Sequence, residues 1–105
     1  MAHNFDAQRR ETFDTFTARP KGQSLPDTAL VDFLFFLEEF DANWAGFEKA
    51  LRAKGFKTRR DADYMIATFG PMPVTPEAIW DKEKQATELA LAYDFYPDGW
   101  DLGED

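Results

Sequence analysis

Hydrophobic positions along this chain follow two different periods. Residues 29–38 read Ala-Leu-Val-Asp-Phe-Leu-Phe-Phe-Leu-Glu, the most apolar run present, and show no helical stripe. A run of about ten residues, rich in aromatics and carrying a β-branched Val, predicts a buried strand. Alternation puts Val31, Phe33, Phe35 and Leu37 on one face and Leu30, Asp32, Leu34, Phe36 and Glu38 on the other. Both faces are mostly apolar, so both demand cover.

The helical period appears on either side. In residues 5–18, Phe5, Arg9, Phe13 and Phe16 fall near one face behind the potential N-cap Asn4, and Arg19-Pro20 ends the pattern. In residues 41–54, Asp41 is placed to cap a helix whose buried stripe is Trp44, Phe47, Ala50 and Leu51. Gly55 then suits the left-handed exit. Residues 56–60 predict a short edge strand, because Lys57, Arg59 and Arg60 block edge-to-edge association. A turn at Asp61-Ala62-Asp63 leads to a second apolar strand, residues 64–69, stopped by Gly70-Pro71-Met72-Pro73. Thr75-Pro76-Glu77 is the sharpest local signal: a hydroxyl cap, a Pro at the first helical position and a carboxylate near the positive end of the dipole. The helix it starts runs to about Tyr93, with Ile79, the stem of Glu83 or Ala86, Leu89, Ala90 and Tyr93 on its apolar stripe. Phe95-Tyr96 opens a last short strand, Pro97-Asp98-Gly99 turns it, and Trp100 anchors the end against the core.

The order α, then β-α-β-β-α-β, predicts a ferredoxin-like α+β sandwich with an extra N-terminal helix. It forms a single domain over residues 1–105, with mobile ends at 1–4 and 101–105. The two most apolar strands, the first and third, take its central places. The two long helices cover one sheet face. The N-terminal helix is expected to fold over part of the other, through Phe5, Phe13 and Phe16, with a homodimer as the competing cover.

Composition narrows the chemistry. Eleven Phe and three Trp supply a core without staples, and the absence of Cys removes disulfides and thiolate sites. The only histidine is His3, near the start, and the only serine is Ser24, in a loop. No Gly-rich phosphate loop, nucleophile–base pair or metal-ligand set is present, so the chain reads as non-enzymatic, with neither cofactor nor metal. No run reaches the roughly 18 apolar residues of a membrane span and no leader opens the chain, so a cytoplasmic protein with no membrane partner is expected.

The formal net charge is −8, which disfavours direct nucleic-acid binding and fits either solubility or a basic protein partner. Signs are segregated: six of the twelve basic residues lie within 49–60, while residues 77–105 hold nine acidic and two basic residues. The basic run reads as protection of an edge strand, or as a contact for an acidic partner or RNA. Glu38, Glu39 and Asp41 form an acidic corner, either a solvated loop with a cap or part of a docking edge. Asp32 is either a perturbed functional carboxylate, or it faces a solvent-reachable part of the sheet or pairs with a basic neighbour. An RNA-recognition module would need a basic residue and a Gly before alternating aromatics. The strand here reads Asp-Ala-Asp-Tyr-Met-Ile-Ala-Thr-Phe-Gly instead.

Val-Asp-Phe-Leu-Phe-Phe, the helix exit Leu51-Arg52-Ala53-Lys54-Gly55-Phe56 and the closing Ala-Tyr-Asp-Phe-Tyr-Pro-Asp-Gly-Trp together resemble the RraB family, regulators of ribonuclease activity B. The likeness spans residues 22–100, and Asp98-Gly99-Trp100 is its most specific part. Pro97 departs from the family's direct Tyr–Asp junction, Asp101 stands where Gly is common, and the long acidic tail of some members is reduced to a few residues. The resemblance implies a non-enzymatic domain that binds ribonuclease E or its degradosome scaffold and lowers RNA cleavage, as a monomer or weak homodimer. The interaction candidates are Glu38, Glu39, Asp41, Tyr96, Asp98, Gly99 and Trp100. An immunity-type domain that neutralises another protein is the alternative, ahead of an RNA-binding module.

Overall fold

In the computed structural model, which describes residues 3–17, 25–37 and 42–103, the apolar run is a strand, β1 (Thr28–Leu37). Around it stand α1 (Phe5–Thr17), α2 (Trp44–Ala53), β2 (Lys57–Asp61), β3 (Tyr64–Pro73), α3 (Pro76–Ala92) and β4 (Phe95–Leu102). The strands pair in the order β2-β3-β1-β4, every neighbour antiparallel. This is the ferredoxin-like α+β arrangement, with β1 and β3 in the middle as the hydrophobic pattern requires.

One face of β1 makes the core. Val31, Phe33 and Phe35 are at most 1% exposed. They meet Phe47 and Leu51 of α2, Ile79, Ala86 and Ala90 of α3, and Phe56 and Phe95. The rings pack edge-on or tilted, as aromatic quadrupoles prefer: Phe35 lies 5.6 Å from Phe47, and Phe47 lies 4.7 Å from Phe95. Thr75 caps α3 as its sequence signal predicts, accepting from the Ala78 N–H at 3.1 Å.

Four local expectations are corrected. The cap of α2 is Asn43, whose side-chain oxygen accepts from the Gly46 N–H at 2.9 Å. Asp41, assigned that role from sequence, lies outside the described residues and two positions too early for this geometry. Secondly, Gly70 does not stop β3. It takes up one extra residue between the pairs Val31–Phe69 and Ala29–Met72, and pairing then resumes. Its φ is +128°, and a Cβ there would sit 2.8 Å from the Ala29 carbonyl oxygen, so only Gly fits.

Thirdly, Pro97-Asp98-Gly99 is not a reversing turn. It is a bulge within β4, between the pairs Phe35–Pro97 and Phe33–Trp100, with Gly99 at φ +95°. The strand continues to Leu102, and the Gly103 N–H donates to the Leu30 carbonyl at 2.7 Å. Pro97 is tolerated because β4 is an edge strand.

Fourthly, α1 does not cover the second sheet face. It packs beside α3 on the helical side, and its Phe16 stacks on Trp100 with ring centroids 5.7 Å apart. The reason lies in its buried positions, which are Gln8 and Thr12 rather than the Phe stripe. Arg9 is exposed, with its guanidinium over the half-buried Phe13 ring at 4.3 Å.

Phe33 anchors the packed face. Phe33→Ala is expected to destabilise the fold by about 3–5 kcal/mol, a large part of the roughly 5–15 kcal/mol typical of a domain this size. Urea denaturation followed by fluorescence reads this directly, and a loss below about 1 kcal/mol would contradict the packing described.

Candidate functional site

Strand alternation and register lay out the second sheet face as a grid. One row across β2, β3, β1 and β4 is Asp61, Tyr64, Phe36 and Tyr96. The next holds Arg59, Ile66 and Leu34, with Asp98 of the bulge beyond them, and the third holds Lys57, Thr68, Asp32 and Asp101. Leu34, Phe36, Tyr64 and Tyr96 are half-buried, and among the described residues no helix lies over them. The centre of this face is apolar and aromatic. Its β2 edge carries Lys57 and Arg59, with Asp61 at the end of the tyrosine row, and its β4 edge carries Asp98 and Asp101. Sheet order thus separates across one surface the two signs already separated along the sequence.

The polar groups of the face are tied down. Asp32 accepts from the Thr68 hydroxyl at 2.5 Å and pairs with Arg59 at 3.4 Å, so its role is that of a basic neighbour's partner. The Tyr64 hydroxyl donates to Asp98 at 2.9 Å. That hydrogen bond, followed by the carboxylate's charge, raises the Tyr64 pKa above 10.0. Phe36 and Tyr96 lie side by side, with ring centroids 5.9 Å apart.

The bulge at Gly99 decides what the Asp-Gly-Trp segment does. In an unbroken strand Asp98 and Trp100 would share a face. The extra residue shifts the phase, so Asp98 joins Tyr96 on the open face while Trp100 turns to the helical side beside Phe16. The sequence candidates therefore divide. Tyr96 and Asp98 come together, Gly99 is the exposed hinge between faces, and Trp100 belongs to a different surface. Glu38, Glu39 and Asp41 lie outside the described residues.

Trp100 lines a cavity of about 590 Å³ between α1, α3 and β4, together with Phe16, Leu25, Gln8, Thr12 and Glu83. Glu83 is 3% exposed. The Thr12 hydroxyl donates to one carboxylate oxygen and Gln8 Nε2 donates to the other at 3.2 Å. Gln8 Nε2 also reaches the Thr87 hydroxyl at 2.9 Å, and Gln8 Oε1 lies 2.6 Å from His3 Nε2. Burial raises the Glu83 pKa, and the Thr12 and Gln8 hydrogen bonds partly oppose it. Reading Glu83 only as a helical stem missed this seam. Its signal was available: Gln8 and Thr12 are four apart, as are Glu83 and Thr87, so each pair shares one helical face.

Among the described residues no group of three or more His, Cys, Asp or Glu side chains is placed to hold a metal ion, and no helix is long and apolar enough to cross a membrane. A family model described as RraB, regulator of ribonuclease activity B, matches residues 4–102. No curated protein matches the chain.

Glu83 gives the seam a pH dependence. Its pKa in the folded chain lies above the ordinary 4.5, so the folded state holds this proton more tightly than the unfolded state. The stability it contributes is full below 4.5 and is lost as pH rises through the folded value. Thermal melts of wild type and Glu83→Gln across this range should show the variant gaining relative to wild type as pH rises to neutral. Parallel pH profiles would contradict the raised pKa.

Proposed function

The chain belongs to the RraB family, regulators of ribonuclease activity rather than enzymes, and on that premise we propose that it binds a ribonuclease and lowers RNA cleavage, as an inhibitor of ribonuclease E would. Its partner is the enzyme or the degradosome scaffold, met in the cytoplasm. The family match carries this reading. The sheet supports a means: Tyr96 and Asp98 stand on the acidic edge strand, next to Tyr64 and Phe36. Aromatic side chains with a hydroxyl handle serve well as interface anchors. Acidic groups beside them suit the basic segments by which a ribonuclease holds RNA.

An interface built this way associates faster at low ionic strength and weakens as salt screens it. Purified ribonuclease E should therefore cleave a model RNA more slowly when the protein is added at low salt, and recover as salt is raised. Tyr96→Ala combined with Asp98→Lys should weaken binding at least tenfold, about 1.4 kcal/mol. Absence of any binding by ribonuclease E at low salt would overturn the proposal.

A further inference from the structure

The sheet face that no described helix covers is self-complementary, and we propose that its occupant is a second copy of this chain. The face runs from Asp61, Arg59 and Lys57 on β2, past the already buried Ile66, through Leu34, Tyr64 and Phe36, to Asp98 and Asp101 on β4. Two identical sheets stacked face to face are related by a two-fold axis lying between them. If that axis crosses the strands through the middle row, each β2 edge lies over its own copy: Arg59 meets Arg59 and Asp98 meets Asp98, and only Lys57 finds an opposite charge, in Asp61. If it runs along the strands, between β1 and β3, each β2 edge lies over the other copy's β4 edge.

The second arrangement pairs every row with itself. Arg59 faces Asp98 and Lys57 faces Asp101, each contact occurring twice by symmetry. In the centre Ile66 faces Leu34 and Tyr64 faces Phe36, apolar against apolar. The strands remain nearly aligned, which is one of the two ways sheets pack. Among the described residues the only ion pair within this face is Arg59–Asp32, and Arg59 is left more than half exposed in it. Lys57, Asp98 and Asp101 are also exposed. The area is sufficient but small. β1 and β3 have ten residues each, β4 eight and β2 five; at about 3.3 Å per residue and about 4.8 Å between strands the face covers roughly 500 Å² per copy. That is the low end for a specific interface, so the dimer is weak and salt-sensitive. It covers Tyr96 and Asp98, so self-association and the ribonuclease docking proposed above exclude one another.

Sedimentation velocity on the full chain, with no ribonuclease present, tests this. Wild type should dimerise reversibly at low salt and dissociate as salt is added. One variant, Lys57→Glu with Arg59→Glu, makes both edges acidic. A second, Asp98→Lys with Asp101→Lys, makes both edges basic. Each alone should associate at least tenfold more weakly than wild type, and an equimolar mixture should recover a dimer, because every edge again meets its opposite. Thermal melts of the variants check folding, and recovery on mixing cannot come from misfolded chains. A wild type that stays monomeric at low salt throughout its soluble range would overturn the proposal. So would variants that dimerise as wild type does, or a mixture that remains monomeric.

Discussion

Side-chain alternation along β1 makes one strand serve two environments, and the other elements arrange themselves around that division. Phe33 and Phe35 point into the helical layer, where they are almost wholly removed from water. Burial of a Phe side chain contributes about 1.5–3 kcal/mol, and Phe47 and Phe95 join them on the same side. Leu34 and Phe36 point the other way and keep partial exposure. A one-residue slip of β1 against β3 would exchange these sets, so the register is held by the full burial of one of them. Asp32 sits in the second set and cannot be moved into the first without stranding a carboxylate among aromatic rings. Its bonds to Thr68 and Arg59 reinforce that orientation.

Both partners of β1 carry a bulge, and each turns on a glycine. Gly70 lets β3 regain pairing, which brings Met72 into the core. Gly99 acts on the surface instead. By changing the phase of β4 it separates an acidic residue from an aromatic one that the sequence writes two positions apart. Asp98-Gly99-Trp100 therefore addresses two faces with one strand. Nothing lies within 4 Å of a Cβ built at Gly99, so the requirement for Gly there comes from its positive φ and not from crowding.

The long-range fold was legible because period and punctuation agreed: the β1 run, Gly55, and Thr75-Pro76-Glu77 each predicted their element. What escaped were the places where a local signal has two structural outcomes. Pro-Asp-Gly and Gly-Pro are written as turns, yet beside a paired neighbour strand the same residues make bulges, because the ladder hydrogen bonds on either side hold the chain straight. The site was legible in part. Tyr96 and Asp98 do share a surface, whereas Trp100 was assigned with them because sequence proximity conceals a phase change. The segregation of charge was visible, but its meaning required the sheet order that sets β2 and β4 at opposite edges.

The placement of α1 shows why a polar seam can decide architecture where an apolar stripe does not. Hydrophobic contact is non-directional, so Phe5 and Phe13 do not by themselves choose a side of the sheet. Glu83 removes that freedom. A carboxylate buried on α3 requires donors at fixed positions, and Gln8 and Thr12 supply them from successive turns of one helix face. Moving α1 to the other sheet face would leave the Glu83 acceptors without those donors. The helix therefore follows its hydrogen bonds, Phe16 is carried along onto Trp100, and the second sheet face is left clear of α1.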